Sequence, residues 1–181
     1  MYTLTSPLLR APASHSDRNA EQGTDVLATD AEISTLVCLA RSRHAHDLVI
    51  GSGRTPRAVA TTRAIETAWE RIGGRVLLAI TWPETGASWL RHATRFAAPD
   101  PDLWVMTGPA IGWAQMTRRL LWSTSWAPAR TLATAGIGSP QSLALVGLHN
   151  LEDLAGVYGD GTSWHVAHGA LMHRPRVVSG P

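Results

Sequence analysis

The sequence predicts an α/β fold: a three-layer α-β-α sandwich, Rossmann-like, built on a mostly parallel sheet of about five strands. Three observations carry that expectation. Short apolar runs such as Val76–Ile80 and Leu103–Met106 alternate with longer stretches of helical spacing. Glycine and proline punctuate the junctions, as at Gly73-Gly74, Pro99-Asp100-Pro101 and Gly108-Pro109. A strand, a helix and a strand of these lengths form a crossover, which makes the two strands parallel and the connection right-handed.

The elements follow in order. Met1 to Thr29 is polar and broken by Pro7, Pro12 and Gly23, so residues 1–29 are expected to be disordered or loosely attached. Asp30 looks like an N-cap, with Glu32 in an acidic first turn. Ile33, Leu36, Val37, Leu39 and Ala40 give that helix an apolar face, and the basic run Arg41–His46 suits its end. Asp47–Gly51 reads as a strand. Pro56 sits well at the first position of a helix reaching Ile72. Gly73-Gly74 ends it, because glycine takes the left-handed conformation without steric cost. Val76–Ile80 is a continuous apolar run and is expected to be a strand buried on both faces.

A helix over Trp89–Ala97, a strand over Leu103–Met106 and a helix over Ile111–Trp122 come next. Arg130–Ala135 reads as a fourth strand, Gln141–Val146 as a short helix capped by Ser139-Pro140, and Leu154–Tyr158 as a last short strand. Residues 30–158 form the predicted lobe. Residues 159–181 show no clear period and are expected to be an irregular tail.

At 181 residues the chain is long enough for one domain with a good core. Its formal net charge is only +2, and its basic residues, all arginine, are scattered. Nucleic-acid binding would need a basic patch or stripe and is set aside. The lone Cys38 excludes an intramolecular disulfide and a Cys-rich zinc site, and its apolar surroundings predict a buried, inert thiol. No segment is long enough to insert in a membrane as a helix. Met1–Ala13 lacks a basic region followed by an apolar core, so the chain as written is expected in the cytoplasm. An upstream signal or first lobe would place it outside.

Ligands of parallel α/β sheets collect beyond the C-terminal ends of the strands. The loops that matter are therefore Gly51–Thr55, Thr81–Thr85, Thr107–Ala110 and Ala135–Ser139. Gly51-Ser52-Gly53-Arg54-Thr55-Pro56 could seat an anion at a helix start. It lacks the third glycine of the dinucleotide fingerprint and the Gly-Lys-Ser/Thr of a P-loop. No catalytic residue, metal ligand or cofactor is assigned. Trp69, Trp104 and Trp122 are expected in the core, whereas Trp82 and Trp113, near strand ends, could touch a ligand. The candidate ligand-binding residues are Ser52, Arg54, Thr55, Trp82, Thr107, Gly108, Trp113 and Gly136. Arg54 would hold a carboxylate, and Thr55 and Thr107 would hydrogen-bond polar atoms.

Taken together, Asp47–Tyr158 resembles the second lobe of type 1 periplasmic binding proteins, the branched-chain amino acid and amide receptors of ABC transporters. The resemblance rests on ordered pieces: Leu48-Val49-Ile50 running through Ala64–Trp69 to Gly73-Gly74, then Trp82-Pro83-Glu84-Thr85-Gly86. Pro101-Asp102 precedes the third strand, Thr107-Gly108-Pro109 follows it, and Gln115-Met116 lies on the helix leading to Leu132-Ala133. Leu151–Val157 echoes the closing acidic-Gly-Val segment. The resemblance implies non-enzymatic binding of an amino acid- or amide-like molecule, with an ABC importer in the background. The family encloses ligand between two lobes, whereas too little chain precedes Asp47 or follows Tyr158 to supply the other. The open face is therefore expected to seek a second copy or another chain. Two alternatives of other classes are a nucleotide or nucleotide-sugar enzyme using the same loops and a protein-interaction module.

Overall fold

The computed structural model describes residues 25–86 and 88–174. The order is α1 (Asp30–Ser42), β1 (Asp47–Gly53), α2 (Pro56–Arg71), β2 (Arg75–Trp82), α3 (Trp89–Ala97), β3 (Leu103–Thr107) and α4 (Ala110–Ser123). Then come β4 (Thr131–Ala133), α5 (Pro140–Ala144), β5 (Ala155–Val157), β6 (Ser163–Ala167) and β7 (Ala170–Arg174), with single 3₁₀ turns at Pro128–Arg130 and Leu148–Leu151. One sheet has the order β2-β1-β3-β4-β5-β6-β7. The first five strands are parallel and the last two antiparallel. The α/β expectation holds, with two strands more than expected.

Strand alternation sorts the core into two layers. Leu48, Ile50, Leu103, Val105 and Leu132 face α1 and α2, where they meet Leu36, Ile65 and Trp69. Val49, Trp104, Met106 and Ala133 face the other layer, with Phe96, Trp113, Met116 and Leu120. Helix α2 starts with Thr55 as N-cap and Pro56 in its first turn. It ends as the Gly-Gly pair requires: Gly73 N–H donates to Glu70 O at 2.9 Å and Gly74 N–H to Trp69 O at 3.1 Å. Gly73 has φ +87°, and a Cβ on Gly74 would overlap the Trp69 indole.

Several expectations are corrected. The N-cap of α1 is Thr29, whose hydroxyl accepts from Glu32 N at 3.1 Å, one residue before the Asp30 proposed from sequence. Strand β2 is not buried on both faces: it is an edge strand, and Leu77, Ala79 and Thr81 are exposed or half-exposed on its outer side. Cys38 is exposed, because α1 turns Leu36, Val37 and Ala40 inward instead. Trp122 is 87% exposed, since α4 buries Trp113, Met116, Thr117 and Leu120, and that face leaves position 122 outside. Residues 163–174 are not irregular but form the β6–β7 hairpin. Residues 25–29, within the segment expected to be loose, lie on the lobe; the rest of that segment, residues 1–24, is outside the described residues.

Candidate functional site

The C-terminal ends of β1 to β5 carry the loops singled out from the sequence. Ser52 is fully buried and stands beside Thr107 in the β1–β3 register. Thr107 accepts a hydrogen bond from the Thr134 hydroxyl at 2.9 Å, so a row of hydroxyls crosses three strands. Thr55 is committed twice: it accepts from Ala58 N at 3.2 Å and donates to Asp25 Oδ1 at 2.8 Å. Arg54 is exposed on the β1–α2 turn. Partial burial and the charges of Arg54, Arg91 and Arg95 hold His92 below the usual histidine range.

Trp82 and Trp113 lie in the core, 0% and 1% exposed, and so offer no surface to an arriving ligand. Trp82 meets Phe96 edge to face at 6.1 Å. The crevice between β1 and β3 is filled by the chain itself. Gly108, at φ +112°, lies so close to Gly53 that a Cβ would sit 2.8 Å from Gly53 N. The Glu84 carboxylate, with both oxygens buried, occupies the space that a side chain on Gly53 or Gly112 would take. Glu84 is not among the candidate residues expected from sequence, although it lies in the Thr81–Thr85 loop and in the Trp82–Gly86 piece of the resemblance.

Gly136, one of the proposed residues, borders an open hollow. This hollow, about 290 Å³, lies under residues 25–29 at the ends of β4 and β5. Val26, Leu27, Thr29, Glu32, Gly136 and Ser139 line it. Glu32 is 2% exposed, and its Oε1 accepts from Ala135 N at 2.6 Å. Burial pushes its carboxyl above the usual range, against the pull of the Ala135 and Thr29 N–H groups. In sequence Glu32 shows itself only as the fourth residue of Thr29-Asp30-Ala31-Glu32, a capping-box pattern. Among the described residues no group of three or more His, Cys, Asp or Glu could hold a metal, and no helix is long and apolar enough to cross a membrane.

No protein-family model matches the chain, and no curated protein matches it significantly. Solved structures do. A protein described as an ABC transporter permease from the Pseudomonas fluorescens group superposes with TM-score 0.61 at 12% identity, over 75% of this chain and 36% of that one. A leucine-binding protein from Thermotoga maritima gives 0.58 at 16% identity, over 68% and 35%. A branched-chain amino acid ABC transporter periplasmic ligand-binding protein from Burkholderia xenovorans gives 0.55 at 13% identity, over 71% and 33%. The matched region spans about a third of those proteins' length. In fold, this chain is similar to one lobe of the type 1 periplasmic binding proteins.

Proposed function

We propose that the chain is a non-enzymatic binding domain for a small amino acid- or amide-like molecule, related in role to the solute receptors of ABC importers. The observation that carries this reading is the hollow at the ends of β4 and β5, lined by Glu32, Gly136 and Ser139. It lies where parallel α/β sheets gather ligands, and it combines an apolar wall with a few polar groups, as small-molecule sites do. Its volume is at the lower edge of the range for such sites, about 300–1,000 Å³.

A single open lobe leaves much of a ligand in water, so the affinity expected is millimolar, about −4 kcal/mol. The strand-end face is accordingly proposed as the surface on which a second copy or another chain closes. Calorimetry of the full chain with leucine, valine and acetamide, beside light scattering, tests the reading. Saturable millimolar heats support it. No heat with any of the three would defeat it, and micromolar binding by a strict monomer would show that the lobe closes a pocket unaided.

A further inference from the structure

Glu32 is the most deeply buried ionisable residue among those described. Its carboxylate is held by the Ala135 N–H at 2.6 Å, and as the last member of a capping box it also turns toward the Thr29 N–H. Those donors leave its charge in place. No ion pair reaches it among the described residues. A capping-box carboxylate on a surface helix is solvated by water, whereas this one lies beneath residues 25–29. Buried charges are ordinarily paired, because taking an ion out of water is costly. When Glu32 is ionised, the described residues supply hydrogen bonds but no cation.

The segment above it is built as a cover. Asp25–Thr29 joins no helix or strand. It is tied down by side chains: the Thr55 hydroxyl donates to Asp25 Oδ1 at 2.8 Å, Ala28 N–H donates to Thr61 Oγ1 at 3.1 Å, and the Thr29 hydroxyl donates to Gly159 O at 2.5 Å. Between those ties Val26 and Leu27 line the hollow while remaining 57% and 50% exposed. A hollow lined by these apolar side chains and by a glutamate matches a molecule with an ammonium head and a short hydrocarbon chain.

We propose that the hollow is an alkylammonium site, with Glu32 holding the charged head and the strap Asp25–Thr29 covering the hydrocarbon part. This rests on the small-ligand reading above and specifies its chemistry. The strap's apolar contacts add to the grip on any ligand with a hydrocarbon chain, charged or neutral. Glu32 adds only for the charged one.

The experiment is an amide NMR titration of the full chain with n-butylammonium and, separately, with butanamide, repeated on Glu32→Gln and on Val26→Ser/Leu27→Ser. The unaltered chain should bind butylammonium at least tenfold more tightly than butanamide, with the Ala135 and Gly136 amides shifting. Glu32→Gln keeps an oxygen for the Ala135 N–H and should abolish the preference. The double serine variant should weaken both probes about threefold. If Glu32→Gln fails to fold, the comparison of the two probes on the unaltered chain decides. Equal binding of both probes there overturns the ammonium site and leaves the small-ligand reading standing; binding of neither overturns both. Unchanged affinity in the serine variant overturns the cover.

Discussion

At the N-terminal ends of the strands, Asp102 Oδ2 accepts from His46 N at 2.8 Å and Asp47 N at 2.9 Å, while Asp47 pairs with Arg75 through two bonds of 2.8 and 2.6 Å. Arg130 bonds Asp100 at 2.9 Å and lies 4.7 Å from the centre of the Trp104 ring. Each of these charges has a partner. At the C-terminal ends the Glu32 carboxylate is buried with no cation beside it among the described residues, hydroxyls crowd three strands, and a hollow is left under a strap. The same sheet thus has one end that locks its strands and one end that leaves a hollow with polar and apolar lining. Stability is expected to reside at the first and binding at the second.

Substitutions at the two ends should separate those roles. The largest effect is expected from Trp69→Ala. The ring is buried under α2, and its Nε1 donates to His46 O at 3.2 Å, so the locked end loses both packing and a tie. About 3–5 kcal/mol should be lost, the range for deleting a buried tryptophan side chain, measured by urea unfolding. Gly73→Val comes next. Nothing surrounds that position, so the cost is backbone strain alone: a β-branched residue at φ +87° should lose about 1–3 kcal/mol. A variant as stable as the parent would mean that α2 does not need its left-handed exit.

The smallest effect is in pH dependence, and its sign differs between the ends. The Arg75 bond holds Asp47 below its usual range, and the N–H groups of Asp47 and His46 do the same for Asp102. Their contribution is present above the unfolded aspartate value, about 4, and is lost as pH falls through the lowered folded values. Glu32 is raised by burial, so it acts the other way. Its ionisation costs the folded state nothing below the unfolded glutamate value, and the cost grows to its full size as pH rises through the raised folded value. Asp102→Asn should therefore lower stability at neutral pH and flatten the acid limb. Glu32→Gln should raise stability above the raised value. Urea midpoints from pH 3 to 8 give both signs.

The locked end was the more legible in sequence. Gly73-Gly74 and Pro99-Asp100-Pro101 mark exits and entries whose conformations follow from the residues themselves, and Trp89–Ala97 begins and ends where its spacing places it. The β6–β7 hairpin escaped notice because its strands are short and its turn is His168-Gly169, both at positive φ, where Asn-Gly or Asp-Gly is the familiar marker. Trp122 was misplaced although the 113, 116, 117, 120 spacing alone puts it off the buried face. The C-terminal end depends on distant contacts. Thr29 and Glu32 announce a helix cap, but nothing local tells that this carboxylate reaches Ala135, 103 residues on. Nor does a loop position reveal that Trp82 turns inward against Phe96.

The most direct test of the division between the two ends is residue-by-residue amide NMR of the full chain during titration with leucine. The account predicts saturable shifts at Ala135, Gly136 and Gly159, with His46, Asp47 and Asp102 unmoved. Shifts confined to the Asp47–Asp102 end, or no saturable shift at the ends of β4 and β5, would contradict it.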